Sequence, residues 1–370
     1  MQRKMFFYTF MSIWIVLIVF NFVAPKVSFS EEENRMLASF PTFDFTKLVE
    51  GEYLKEMESY INDHFVFRDL WLKVKSTFEQ ACLKTENTGI YIGEDGYLFE
   101  KQVLDETKIT NVKQHIERIS AFAQNQKVPI TMMLIPNSVS VYPEKLPANA
   151  PVYDQSKLIE EVYQNLTSIK TIDVLDTLIE HKEEYIYFKT DHHMTSLGAY
   201  FVYQEYAKEN GIPLHSLEDY EIHLVTDDFL GTFDSKAQLI LQEKDFMYQY
   251  QLKEKVFLQV EYDTQVSNSL YEESYLQTKD KYSYYLNGNQ ARVKVTTSNQ
   301  NHEKLLVIKD SYAHNMAQFI CNDFEEVHFI DLRYYKMSMS DYIEENGITQ
   351  VLILYNVSNF VEDLGLRSLK

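Results

Sequence analysis

Hydrophobic residues follow three different patterns along the chain, and each pattern predicts a different kind of structure. Residues 5–24 contain no charged side chain and are dominated by large apolar residues. Between 48 and 84, apolar residues recur every three or four positions on either side of a polar break at 62–64, which predicts two amphipathic helices. From about 107 onwards, short apolar runs alternate with helical segments, which predicts alternating strands and helices.

The alternating region predicts an α/β fold with a mainly parallel sheet and helices on both faces. Its strands are predicted at 128–135, 172–175, 304–308, 327–332 and 351–354, and its helices at 109–123, 156–166, 196–210 and 340–346, with another after Ser311. Ser196 is the predicted N-cap of its helix and Gly211 the predicted stop. Residues 90–99 predict a β-hairpin around a Glu-Asp-Gly turn.

Residues 216–300 interrupt this alternation. They are rich in tyrosine and alternate in the manner of strands, as in Phe257-Leu258-Gln259-Val260-Glu261-Tyr262. This pattern predicts a β-rich insertion over the sheet. Packing on strand faces accounts for most of the tyrosines, and any that are exposed in a cleft suit stacking against a sugar.

The apolar N-terminal stretch predicts a membrane helix, since about twenty residues at roughly 1.5 Å each span a bilayer core of roughly 30 Å. Arg3 and Lys4 precede it and acidic residues 31–33 follow, so residues after about 25 are expected outside the cell. A retained signal-anchor and a cleaved signal peptide are both open, and the length favours the anchor. The predicted protein is single-pass, with its catalytic domain on the extracellular face.

The same patterns predict a division of the chain into an anchor at 1–30, a helical extension with the hairpin at 31–105, and an α/β domain at 106–370 that carries the insertion at about 216–300. The formal charge of −20 argues against nucleic acid as a partner and disfavours anionic substrates unless a basic patch lies nearby. Two cysteines, Cys82 and Cys321, exclude a disulfide framework and leave their pairing open. No cofactor or metal site is predicted.

Two segments carry candidate chemistry. Ser311 directly follows a predicted strand, where open α/β sheets bind ligands and where backbone N–H groups can stabilise an oxyanion. A serine nucleophile needs a base, and an imidazole oriented by a carboxylate provides one. Asp191 and His193, in a loop before a helix, have a spacing that places both groups on one side, with His192 turned away. An Asp-Ser helix cap is the alternative, but both segments in one α/β domain favour a triad.

Several short motifs, taken together, resemble the DHHW-motif proteins, which are relatives of the SGNH-type alginate O-acetyltransferase proteins of the periplasm. The motifs are Glu33-Asn34-Arg35-Met36-Leu37 followed by Pro41, Gly51-Glu52-Tyr53, Asn62-Asp63-His64-Phe65 with Phe67-Arg68-Asp69, Gly96-Tyr97-Leu98, Thr190-Asp191-His192-His193, and Lys309-Asp310-Ser311-Tyr312 with Asp331-Leu332-Arg333-Tyr334. They span most of the chain that follows the apolar stretch.

This resemblance implies a flavodoxin-like SGNH fold in which the Asp-x-His motif precedes the serine, a permuted order, and it implies Asp191, His193 and Ser311 as the triad. Further site residues implied are Arg333, for which a surface ion pair is the alternative; Asn356, as an oxyanion donor or a strand-end turn; and His192 and Tyr312, as supporting or substrate-binding residues. Two positions depart from the family: Met194 replaces the Trp of the motif, and Lys309 replaces a usual Gly.

The expected function is therefore an exported serine O-acyltransferase or esterase that acts on a cell-surface or secreted polysaccharide. The family further implies a membrane-bound acyltransferase partner that delivers acetyl groups. A non-catalytic protein that binds glycan through its tyrosine-rich region is the alternative. A metal phosphoesterase, suggested by Asp-His-His, is disfavoured because the sequence has no second cluster of Asp and His ligands.

Overall fold

The computed structural model describes residues 2–369, and these divide into two compact units that are described separately. The first unit contains the chain up to Asn87 together with Ser235–Leu241. The second contains Thr88–Asp234 and the chain from Gln242 onwards. Both cysteines are free, Cys82 exposed and Cys321 buried.

The first unit is mostly helical. Its elements are α1 (Gln2–Val23), β1 (Phe29–Ser30), β2 (Arg35–Met36), α2 (Phe45–Glu50), α3 (Glu52–Asp63), α4 (Arg68–Ala81) and β3 (Glu86–Asn87). Residues 2–21 of α1 are long and apolar enough to cross a membrane. The first amphipathic helix predicted between 48 and 84 is divided in two, because Gly51 takes a left-handed conformation with φ of 80° and ends α2.

The second unit is built on an eight-stranded sheet. The strands of the whole unit, of which eight form this sheet, are β4 (Ile90–Ile92), β5 (Leu98–Glu100), β6 (Ile130–Ile135), β7 (Lys170–Ile172), β8 (Tyr220–Phe229), β9 (Asp245–Leu252), β10 (Leu258–Tyr262), β11 (Val266–Ser267), β12 (Arg292–Thr297), β13 (Lys304–Lys309), β14 (Glu326–Ile330) and β15 (Gln350–Asn356). The order in the sheet is β11-β10-β12-β14-β13-β15-β6-β7. The last five strands in this order, β14, β13, β15, β6 and β7, are parallel to one another.

The sheet is mixed rather than mainly parallel throughout, since β10, β11 and β12 join it in antiparallel pairs. These three strands come from the tyrosine-rich region, which was expected to lie over the sheet, so that expectation holds only in part. Two other strands of the region, β8 and β9, form a separate antiparallel pair. The predicted hairpin is confirmed by the antiparallel pairing of β4 with β5.

Helices of the second unit cover both faces of the sheet. They are α5 (Glu106–Asn125), α6 (Ser138–Val141), α7 (Gln155–Asn165), α8 (Leu175–Glu180), α9 (Ser196–Glu209), α10 (Thr232–Ala237, whose last residues belong to the first unit), α11 (Ala317–Ile320), α12 (Met339–Asn346) and α13 (Val357–Glu362). Alternate residues of β13 enter opposite cores: Leu305 and Val307 in one, Leu306 and Ile308 in the other. The apolar runs are therefore buried on both sides, as predicted for parallel strands.

Three local predictions differ from the structure. The strand expected at 172–175 ends at Ile172, and a helix begins at Leu175. The N-cap of α9 is Thr195 instead of Ser196, because the Thr195 hydroxyl accepts the N–H of Gly198 at 3.3 Å. In place of the helix expected after Ser311, a single turn of 3₁₀ helix spans Ser311–Ala313, and α-helix begins only at Ala317.

Candidate functional site

Ser311, His193 and Asp191 form a hydrogen-bonded series at the carboxyl end of β13. His193 Nδ1 lies 2.5 Å from Asp191 Oδ1, and His193 Nε2 lies 2.7 Å from Ser311 Oγ. Because Nδ1–H donates to the carboxylate, Nε2 is left to accept the hydroxyl proton of Ser311. All three side chains are buried, with at most 8% of each residue exposed. This is the geometry that a serine nucleophile, its base and an orienting carboxylate require.

The Asp191 carboxylate is fixed by groups from a distant part of the chain. Its Oδ1 also accepts the N–H of His193 at 3.0 Å, and its Oδ2 accepts the N–H of Thr232 at 2.7 Å. Gly231 packs so closely that a Cβ there would lie 2.4 Å from Asp191 Oδ2. Only glycine fits this approach, and nothing in the sequence connected residues 231 and 232 with the Asp-x-His motif.

The electrostatics favour a neutral imidazole beside an ionised carboxylate. Burial lowers the pKa of His193, and the nearby His192 lowers it further, to about 4 in spite of the Asp191 carboxylate. Burial alone would raise the pKa of Asp191, but the two imidazoles and the N–H of Thr232 outweigh burial and hold that pKa well below its usual range. At neutral pH His193 is therefore ready to accept a proton.

These shifts predict an unusually acidic limit of activity. We expect kcat/KM for ester hydrolysis to be level at neutral pH and to halve only near pH 4, because activity is lost as the pH falls through the pKa of His193, about 4. A pH–rate profile with a small acetyl ester measures this. An acidic limb centred near the ordinary histidine pKa of about 6.5 would contradict it.

The loop that carries Ser311 is held by the carboxylate of Asp310. This buried group accepts four hydrogen bonds, from the N–H of Tyr312 at 2.9 Å, from the N–H and side-chain amide of Asn356 at 2.8 and 2.7 Å, and from Asn359 at 3.0 Å. Asn356, expected as an oxyanion donor or a strand-end residue, thus points its amide at Asp310. The backbone N–H of Ser311 makes no hydrogen bond to another described residue, so it is free to donate to an oxyanion.

Hydrogen bonds tie the serine loop to the histidine loop. The Tyr312 hydroxyl donates to the backbone oxygen of His192, and Asn315 Nδ2 donates to the backbone oxygen of Met194 at 2.7 Å. The His192 ring is tilted against His193 with ring centroids 3.8 Å apart, and its Nδ1 is 3.4 Å from Asp191 Oδ1. Tyr312 and His192 therefore lie at the site, with Tyr312 acting on the loop through its hydroxyl. The expectation that His192 turns away from Asp191 and His193 is wrong, because its ring packs against the His193 ring.

The other expected site residues lie close by without touching the triad. Arg333 donates from Nε and Nη2 to Asp331 at 2.9 and 2.6 Å and makes no hydrogen bond to Ser311 or His193 among the residues described. Met194 is buried in the core. Lys309 is also buried, with Nζ 2.6 Å from His314 Nε2, and burial lowers the pKa of Lys309 to about 8.

Asp191, His192 and His193 together have the ligand atoms that a metal ion would need. One ligand atom from each of Asp191, His192 and His193 lies within 4.8 Å of the others. The 2.5 Å separation of Asp191 Oδ1 and His193 Nδ1 is that of a hydrogen bond. A metal bound by both atoms would displace the proton on His193 Nδ1 and break the hydrogen bond between His193 and Asp191, on which the series ending at Ser311 Oγ depends.

Tyr282 is a component of the site that the sequence did not reveal. Its ring lies face to face with the His193 imidazole, with centroids 3.6 Å apart and planes 9° from parallel. Its hydroxyl donates to the backbone oxygen of Ser311 at 3.0 Å. Tyr282 therefore contacts the base with its ring and the nucleophile's loop with its hydroxyl. It belongs to the tyrosine-rich region, where no spacing distinguishes it from its neighbours.

The ring of Tyr282 is expected to matter more than its hydroxyl. Tyr282→Leu removes the π face that stabilises the imidazolium, and kcat/KM should fall roughly tenfold or more, while Tyr282→Phe keeps most activity. The acidic limb of the pH–rate profile should move in the Leu variant only. Equal loss in both variants, with unchanged thermal stability, would assign the effect to the hydroxyl instead.

The site has the arrangement of a serine nucleophile, a histidine base and an orienting carboxylate. It lies at the carboxyl edge of the parallel strands of an α/β sheet. Residues 91–330 match the model of the DHHW protein family. The chain therefore belongs to this family, and the resemblance read from its motifs is confirmed.

Comparison with individual proteins agrees with this assignment. A DHHW family protein from Eubacterium siraeum DSM 15702 has a similar structure, with a TM-score of 0.66 and 23% identity over 76% of this chain and 95% of the other. Bacillus cereus PatB1 with a sulfonyl adduct gives a TM-score of 0.64 and 21% identity over 76% and 98%. At these identities the likeness shows the fold.

Curated relatives match in sequence over a shorter region. The probable alginate O-acetylase AlgJ of Pseudomonas syringae pv. tomato is 21% identical over 175 residues, 45% of this chain and 44% of the relative. The protein of the same description from Pseudomonas fluorescens is 22% identical over 185 residues, 47% and 46%. The chain thus spans less than half the length of these relatives.

Proposed function

We propose that this chain is a serine-dependent O-acyltransferase or esterase that acts on polysaccharide at the outer face of the cell membrane. The observation that supports it most directly is the series Asp191–His193–Ser311, with heavy-atom distances of 2.5 and 2.7 Å. An imidazole whose pKa is lowered and a free serine N–H complete the chemical requirements. The order of the motifs, with Asp-x-His before the serine, fits a permuted SGNH-like site.

The proposed reaction passes through an acyl-enzyme. Ser311 Oγ attacks the acyl carbonyl while His193 Nε2 takes the hydroxyl proton, and the N–H of Ser311 stabilises the oxyanion. The leaving alcohol recovers the proton from His193 as the carbonyl re-forms. An acceptor hydroxyl, from a sugar or from water, then gives its proton to His193 and attacks the ester. The acyl group passes to the acceptor, and Ser311 Oγ leaves with the proton returned by His193. Asp191 stabilises the imidazolium in both halves.

The substrate class rests on the family. The curated relatives are described as alginate O-acetylases, which favours acetyl as the acyl group and a polysaccharide as the acceptor. Because less than half of each relative is matched, the similarity does not identify the polymer on which this chain acts. A chain with a formal charge of −20 repels a polyanion such as alginate, so a neutral or cationic polysaccharide is the better candidate. A membrane protein that delivers acetyl groups completes the proposal.

The proposed location follows from α1. None of the residues of its candidate span is buried, and the helix has the length and hydropathy of a membrane span. With Arg3 and Lys4 before it, the positive-inside rule orients the rest of the chain outwards. We therefore propose a retained single-pass anchor with the second unit on the extracellular side, where a cell-surface polysaccharide is accessible.

Ester content of the cell-surface glycan tests the function in the cell. In a strain that lacks the native gene, the wild-type chain should change the alkali-released acetate, and Ser311→Ala should leave it at the level of the deletion strain, since the acyl-enzyme cannot form. A transferase raises the acetate content and an esterase lowers it, so the sign separates the two. Equal ester content with wild type and Ser311→Ala, at equal protein levels, would reject the proposal.

A further inference from the structure

α4 of the first unit exposes its apolar side and buries a polar one. Its exposed apolar residues are Leu70, Trp71, Val74 and Phe78, which the helical repeat places on one face. Trp71 is 46% exposed and Phe78 69%, whereas Ser76, on another side of the same helix, is 1% exposed. A helix of a water-soluble protein shows the reverse arrangement, with its apolar stripe towards the core.

The orientation of α4 is fixed by specific contacts on its buried side. Ser76 Oγ donates to the backbone oxygen of Ala237 at 3.1 Å and accepts the side-chain amide of Asn87 at 3.0 Å. Asn87 also donates to Ala237 at 2.7 Å. These buried hydrogen bonds prevent the helix from rotating to hide its apolar face, because rotation would leave their polar groups unpaired.

The beginning of α4 lies beside the end of α1. The rings of Phe20 and Phe67 are 6.3 Å apart, and the Asn21 side chain accepts the N–H of Val66 at 3.2 Å. Lys26 Nζ donates to the backbone oxygens of Asn21 and His64 at 2.8 and 3.1 Å. Phe20 and Asn21 are the last residues of the candidate membrane span. Phe67 is therefore level with the end of the span, and Leu70 and Trp71 lie about one turn further on.

We infer that the apolar face of α4 lies in the interfacial layer of the same bilayer that α1 crosses. The inference rests on the proposed membrane placement of α1. An amphipathic helix with a Trp on its apolar side, joined to the end of a span, has the features of a helix that lies in this layer. At fourteen residues it is about 21 Å long. The first unit thus contacts lipid through two helices, one across the bilayer and one along it.

Tryptophan fluorescence tests this directly, because the chain contains only Trp14, in α1, and Trp71, in α4. Trp14→Phe and Trp71→Phe each leave one of them. The full-length variants are reconstituted in vesicles of phosphatidylcholine with or without brominated acyl chains, which quench tryptophan on contact. We expect brominated lipid to reduce the emission of Trp14 and of Trp71, and we expect aqueous iodide to quench Trp71 little. Matching circular dichroism spectra establish that both variants are folded.

The two variants separate failure of this inference from failure of the proposed location. Quenching of Trp14 by brominated lipid, with Trp71 unaffected by lipid and accessible to iodide, overturns the inference and leaves the anchor intact. Absence of lipid quenching for both tryptophans overturns the membrane placement of α1 and, with it, the inference. Neither outcome depends on Ser311.

Discussion

Ser311→Ala is expected to abolish covalent labelling by a fluorophosphonate probe and to slow hydrolysis of a small acetyl ester by roughly 10³-fold or more. The reason is the 2.7 Å contact between His193 Nε2 and Ser311 Oγ, which makes this hydroxyl the one that the base activates. Alanine removes the attacking atom while leaving the imidazole, the carboxylate and the loop around Asp310 in place. Intact-mass measurement of the labelled protein gives the stoichiometry, and initial rates give the kinetic loss.

Ser168→Ala provides a matched control, because Ser168 is an exposed serine in a turn of the same unit. This variant should label and turn over like the wild type. Labelling of Ser311→Ala at the wild-type level would show that another residue reacts. A folded wild-type chain that takes up no label at all would remove the support for an acyl-enzyme. Thermal unfolding of each protein establishes that the comparison is between folded molecules.

Asp191→Asn is expected to lower kcat by roughly 10³–10⁴-fold without unfolding the protein. The amide is nearly the same size as the carboxylate, and its oxygen can still accept one of the backbone N–H groups of His193 and Thr232. It carries no negative charge to stabilise the imidazolium. An amide NH₂ turned towards His193 would also favour the tautomer with the proton on Nε2, which cannot accept the Ser311 proton. Steady-state kinetics with a small acetyl ester measure the loss.

Asp105→Asn is the corresponding control for a carboxylate exchanged for an amide. Asp105 caps α5 by accepting the N–H of Lys108 at 2.9 Å, and asparagine caps helices about as well. Its kinetics should equal those of the wild type. A loss in Asp191→Asn of less than about tenfold, or a rise in KM alone, would assign Asp191 to substrate binding or loop structure instead of to the base.

Local sequence patterns identified the strands and helices around the site well. Continuous runs of apolar residues located β6, β13, β14 and β15 to within a few residues, because a strand buried on both faces is apolar throughout. The patterns failed at Leu175, where a short apolar segment is compatible with either a strand or a helix. They also failed to predict which strands are neighbours in the sheet. The sequence pattern of the antiparallel strands β10–β12 is the same whether they extend the sheet or lie over it, because one face of each strand is buried in both arrangements.

The sequence by itself determined that an Asp-x-His loop and a serine after a strand belong to one α/β domain, because those features depend on neighbours a few residues away. Only the tertiary structure decided that His193 and Ser311, 118 residues apart, share a hydrogen bond. It also decided that Tyr282 covers the imidazole, that Gly231 and Thr232 hold Asp191, and that Asn356 supports Asp310. The physical reason is that a buried polar group takes the partner that packing brings within about 3 Å, and packing is a property of the whole sheet.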